Sequence, residues 1–190
     1  NPLSLCIPKQ FGGFGGNVKE NIAFISAASY ESLALSLTLG INNGLFIQPV
    51  TKYGQEKVKP EIFNQFLNES HMGGLMITEP DFGGDALNMK TSKKKKNGFF
   101  HLQGKKHWAG LTGMADLWIL TARRRSVNGD LMRDIDMFIC DVNAPRQKIV
   151  VEELFENLGL YQIPYGRNSL DVYIPEEQKF IPHTTGIQML

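Results

Sequence analysis

The sequence predicts an α+β protein in two parts, helical first and strand-rich after, with the change near Ser70 to Gly74. Two observations carry this. As far as Leu67, apolar residues recur at helical spacing between recognisable helix starts and stops. From Gly74 onward the apolar runs are short, alternate with polar residues and are broken by turns. With 42% hydrophobic residues in 190, the chain can bury a sizeable core.

The elements follow in order. Gly12-Gly13-Phe14-Gly15-Gly16 has the composition of a phosphate loop, but it follows Ile7-Pro8-Lys9-Gln10-Phe11 rather than a strand of a βαβ unit, so it is read as a connection leading into a helix. Asn17 caps that helix, with Glu20 placed to reach back, and Ile22, Ile25 and Ser29 follow at helical spacing. The Ala-, Ser- and Leu-rich run from Ala27 to Leu39 suits close helix packing as two helices or one bent one, weakened at Gly40 and Gly44. Lys59-Pro60 opens a short helix whose apolar face is Ile62, Phe63, Phe66 and Leu67. Strands are predicted over Leu117 to Ala122 and Met137 to Val142, and where Leu170, Val172 and Ile174 alternate with Asp171 and Tyr173. Lys93 to Lys96 ahead of Asn97-Gly98 reads as a solvated hairpin turn, because Asn-Gly accepts the positive φ angles of a tight reversal.

A net charge of +1 gives no global field to attract nucleic acid or an anionic membrane. Cys6 and Cys140 are far apart and form no Cys-x-x-Cys motif, so they are read as reduced thiols, with a cytoplasmic location as the simplest expectation. No uninterrupted apolar run approaches the roughly 18 residues of a membrane span, and neither a signal peptide nor a membrane partner is expected. His71, His101, His107 and His183 lack ligand spacing, so no metal site is expected.

Two segments carry the functional signal. In Leu75 to Asp85 an apolar strand runs into Thr78-Glu79-Pro80 and then Gly83-Gly84. Peptide groups at such a strand end can pair with the imide edge of a planar ring, and the paired glycines admit a phosphate. Taken alone, the segment is equally an ordinary strand and turn. Trp108, in Lys106-His107-Trp108-Ala109-Gly110, offers an indole face for stacking on an aromatic cofactor, whereas Trp118 lies inside an alternating strand and reads as core or interface packing. Glu79 and Asp85 are expected to make turn bonds rather than act as bases.

In this order, with Ile7 to Gly13 before them, Lys52-Tyr53-Gly54-Gln55-Glu56-Lys57 between, and Leu158-Gly159-Leu160 and Leu170 to Pro175 after, the segments resemble the acyl-CoA dehydrogenase family over nearly the whole chain. The resemblance implies a partial helical N-terminal domain over residues 1–72, an antiparallel β-barrel over 73–182 and, at 183–190, the start of a C-terminal helical domain. It implies FAD as cofactor and an acyl-CoA substrate oxidised to its 2,3-enoyl form by base-assisted hydride transfer. An electron-transferring flavoprotein is the expected acceptor and homo-oligomers the expected assembly.

On the same ground Leu75, Ile77 and Thr78 are expected at the flavin edge. Gly83 and Gly84 are expected at its pyrophosphate, with Gly84 also near the thioester, and Trp108, Ala109 and Gly110 against the ring face. No catalytic residue is expected, because the family's glutamate base belongs to the C-terminal domain, and the chain is accordingly read as a fragment, inactive alone. It departs from the family at Gly84, usually serine, and at Gly110, usually serine or threonine. Related acyl-CoA oxidases, flavin monooxygenases, or a non-catalytic module holding CoA phosphates through Arg123-Arg124-Arg125 and the lysine run are the alternatives.

Overall fold

A computed structural model describes residues 1–180, so the expected start of a further helical domain at 183–190, and His183, lie outside the described residues. Helix α1 spans Val18–Glu31 and starts where expected: the Asn17 side chain accepts from Lys19 and Glu20 N–H, and Glu20 reaches back to the Asn17 N–H, closing a capping box. Its apolar residues Ile22, Phe24 and Tyr30 nonetheless stay exposed. Ser32 ends α1 and caps α2, Leu33–Gly40.

The helix does not weaken at Gly40 and Gly44 as expected. It continues through a π-helical turn, Ile41–Ile47, into α3, Gln48–Tyr53, giving one 21-residue helical stretch with the length and apolarity of a membrane span. The extra residue in that turn has a tertiary cause. Fully buried Asn42 donates to Leu3 C=O and accepts from Gly73 N–H, while Asn43 donates to Pro2 and Leu39 C=O and accepts from Cys6 N–H. Two buried amides hydrogen-bonded to protein partners through both nitrogen and oxygen, beside fully buried Phe46, Ile47 and Val50, mark this as a core helix. Helix α4, Lys59–Asn68, begins with Pro60 in its first turn and buries Ile62, Phe63 and Phe66.

Seven strands follow: β1 Gly73–Met76, β2 Ser92–Lys96, β3 Phe99–Gly110, β4 Leu117–Arg125, β5 Leu131–Asp141, β6 Gln147–Leu154 and β7 Tyr165–Pro175. They form one curled half-barrel rather than a closed barrel. Most pairs are antiparallel, but β1 and β2 both run parallel to β4 along one of its edges, and β5 covers the other. The helices and one side of β4 and β5 enclose a first core around Phe46, Phe63, Phe66, Ile119 and Ile139. A second core inside the curl gathers Leu102, Trp118, Phe138 and Val172. Gly73 and Gly74 permit this junction: a Cβ on Gly73 would enter the Phe46 ring, and one on Gly74 would lie 2.5 Å from the Trp118 ring.

The lysine run is corrected in part. Asn97 and Gly98 do take positive φ (49° and 79°), but the lysines form strand β2, and Lys93 is buried. It pairs with Asp136 and lies over the Phe100 and Phe138 rings, a destination set by β5 and invisible in a local run of charge. Cys6 and Cys140 are both buried free thiols.

Candidate functional site

The two motif segments meet. β1 runs out at Met76, and Thr78 beyond it accepts a 2.8 Å hydrogen bond at its C=O from the His107 N–H, which joins the strand end to the middle of β3. Beneath this junction Lys106 is wholly buried. Its ammonium donates to Glu79 Oε1 at 3.0 Å, to Ile77 C=O at 3.1 Å and to Thr121 Oγ1 at 3.0 Å. Glu79, also buried, accepts in addition from the Lys90 and Thr91 N–H groups. One ion pair therefore ties the Thr-Glu-Pro turn, the edge of β2 and the Lys106-Trp108 segment together.

Burial by itself would raise the Glu79 pKa, but the Lys106 charge and the bonds from Thr91 and Lys90 hold it below its usual value. Burial brings Lys106 down to about 8, opposed by Glu79. This pair is the feature that sequence reading missed. Its only local sign was a glutamate and a lysine each sitting inside a functional motif.

Past Lys106 the pairing of β3 with β7 slips by a bulge between Lys106 and Ala109, and Trp108 occupies it in the left-handed region at φ 54°. Leu111 follows at φ 71°. Left-handed backbone at a bulky residue costs about 1–3 kcal/mol and persists where the surroundings enforce it. Here it turns Trp108 outward: the residue is 53% exposed, its indole packed against Phe155 at 4.8 Å between ring centroids. His107 meets the edge of Trp108 and packs on Phe155. Ala109 is buried, its C=O accepting from Thr112 Oγ1.

The other expected residues divide. Ile77 and Thr78 are half-buried at the junction, and Leu75 leans toward the first core. Gly83 and Gly84 lie beyond the junction in an exposed turn, where an added Cβ would meet nothing within 4 Å. Gly110 is the opposite case, since its Cβ would lie 2.8 Å from Ile41 Cδ1 and 3.1 Å from the Tyr165 ring. A side chain is thus free to appear at position 84 and is crowded out at 110. Asp85 bonds the Asn88 side chain at 2.5 Å.

The glycine loop binds its own backbone: Gly15 N–H donates to Ile7 C=O and Gly16 N–H to Leu5 C=O, which leaves those amides nothing to offer a phosphate. Among the described residues no three His, Cys, Asp or Glu side chains converge on a metal site.

Comparison with known proteins agrees in both halves. The acyl-CoA dehydrogenase N-terminal domain profile matches residues 2–70 and the middle domain profile residues 74–172. An acyl-CoA dehydrogenase of Bacillus subtilis is 31% identical over 162 residues, 84% of this chain and 41% of that protein. Among solved structures, a glutaryl-coenzyme A dehydrogenase in complex with glutaryl-CoA superposes with a TM-score of 0.82 at 26% identity, over 98% of this chain and 47% of that one. The FAD complex of PigA shares the fold at a TM-score of 0.84 and 22% identity, over 100% and 49%. The chain spans about half the length of the relatives it matches. It belongs to the acyl-CoA dehydrogenase family, of which it carries the N-terminal and middle domains.

Proposed function

We propose that the rim formed by the Thr78 strand end and the Trp108 bulge holds the isoalloxazine ring of FAD, in a protein that oxidises an acyl-CoA thioester to its 2,3-enoyl form. The observation that carries this reading is the His107-to-Thr78 backbone bond, which makes one continuous rim of two segments far apart in sequence.

The residues present fit such a ring. Trp108 offers an exposed indole face, fixed in orientation by its left-handed backbone and by Phe155. Ile77 and Thr78 border the edge, and the open side of Gly83 and Gly84 leaves room for a pyrophosphate or the thioester. Bound flavin supplies the hydride acceptor for this oxidation. Glu79 is engaged by Lys106 and by two N–H groups, so the rim orients and shields rather than moves a proton. The base is expected on the family's C-terminal domain, with an electron-transferring flavoprotein as acceptor and a homo-oligomeric assembly.

The charge distribution supports a CoA substrate. Arg123 is withdrawn from ligand binding, because its guanidinium donates to the carbonyls of Met89, Leu131 and Met132. Arg125 and Lys94 instead line a cavity of about 500 Å³ with Ser92 and Gln103, beside Lys90 and His101, which are paired with Asp81 and Asp171. Arg125 is braced there by Ser92 Oγ and Gly129 C=O. Such a set suits phosphate esters of the kind CoA carries at its nucleotide end.

The test is anaerobic addition of acyl-CoA to the FAD-loaded whole protein. Loss of the flavin's visible absorbance supports the reading, and a colourless protein that refuses FAD contradicts it. Steady oxygen consumption with acyl-CoA and no added acceptor would mark an oxidase instead.

A further inference from the structure

Position 110, buried two residues past Trp108, bears no side chain, and the structure shows what fills its place. Gly110 pairs with Tyr165 across the β3–β7 ladder, and the tyrosine ring folds over it. Two ring atoms, Cε1 and Cζ, stand 3.1 and 3.3 Å from where a Cβ on Gly110 would be, so the hydroxyl-bearing end of the ring occupies that space. Ile41 of the π turn closes it from the helical side. The Tyr165 C=O accepts from Phe155 N–H at 2.8 Å, and Phe155 is the ring that buttresses Trp108. Tyr165, Phe155 and Trp108 are thus one connected group at the rim. Tyr165 is half-buried, its ring packed on the second core.

We propose that Tyr165 is a positioning residue of this rim, its ring filling the space over Gly110 and presenting its phenol to a polar atom on the ring of the bound cofactor. This deepens the flavin reading and rests on it. The chemistry required is modest: a phenol donates one hydrogen bond, a flavin ring carries nitrogen and carbonyl acceptors, and a ring held by strand pairing and core contacts loses little freedom on binding. It also explains why glycine stands at 110, since a serine there would meet Tyr165 and Ile41.

The test titrates FAD, labelled with nitrogen-15 in the ring, to millimolar concentration into the chain and into Tyr165→Phe, Trp108→Ala and Gly110→Ser. Tyr165→Phe should keep the fold but weaken FAD binding by about five- to tenfold, the worth of one hydrogen bond. It should also remove a hydrogen-bond shift of a ring nitrogen or of its neighbouring carbonyl. Gly110→Ser should lower stability, and adding Tyr165→Ala should relieve the part due to the tyrosine ring, the Ile41 contact remaining. If Trp108→Ala abolishes binding while Tyr165→Phe matches the parent in affinity and nitrogen shifts, the role of Tyr165 is overturned and the flavin reading stands. If the parent chain shows no FAD-induced shift, both fall.

Discussion

Two tryptophans on strands successive in the chain, β3 and β4, show how differently the same side chain is used. Trp118 is 2% exposed, in regular β4 geometry, with Gly74 reduced to a hydrogen to admit its ring. Trp108 is 53% exposed, on a bulge, at a positive φ that an aromatic residue adopts only under constraint. The first lowers the free energy of the fold through burial. The second gains little from burial and stores strain, and what holds it is the buried Lys106 and Glu79 pair next to it in the chain and the half-buried Phe155 ring against it. A rim built to meet a ligand is stabilised from below.

That contrast can be broken most severely at the ion pair. Lys106→Met or Glu79→Gln leaves a charge buried without its partner and should cost about 3–5 kcal/mol in urea unfolding. The double variant should recover part of that loss. Because the Glu79 carboxyl is held below its usual 4.5, its contribution is complete above about pH 4.5 and is lost as the pH falls further. Glu79→Gln should therefore flatten the acid limb of stability against pH.

The tryptophan pair itself gives a comparable loss at one member only. Trp118→Ala should cost about 3–5 kcal/mol. Trp108→Ala should cost about 1 kcal/mol, because the half-exposed side chain buries little; the left-handed strain stays, since alanine keeps a Cβ. Equal losses would erase the distinction between core and rim.

The glycines give the smallest contrast. Gly74→Ala, whose methyl would lie 2.5 Å from the Trp118 ring, should destabilise by about 1–3 kcal/mol. Gly84→Ser points into open space and should stay within about 0.5 kcal/mol of the parent, measured by thermal unfolding.

What was legible in the sequence was local or ordered along the chain. The Asn17–Glu20 capping box, Pro60 at the start of α4 and the alternation through β7 are local rules that the tertiary structure did not override. The meeting of Thr78 with His107 was legible because two motifs stood in a recognisable order. The π turn was not, because the partners of Asn42 and Asn43 lie at Leu3, Pro2, Cys6 and Gly73, remote in sequence. The parallel pairing of β1 and β2 with β4, the burial of Lys93 against Asp136 and the Tyr165 ring over Gly110 are likewise long-range choices. Gly110 reads as a missing hydroxyl until its cross-strand partner is seen.

The most direct test uses the two indoles as separate reporters. Trp118→Phe leaves Trp108 as the sole tryptophan, and Trp108→Phe leaves Trp118. FAD titrated into the first variant should quench its emission saturably through direct stacking, with the weak affinity expected of half a site, and the second should show a clearly smaller saturable quenching. Saturable quenching by FAD of the variant that lacks Trp108, with none in the variant that keeps it, would contradict a flavin site at this rim.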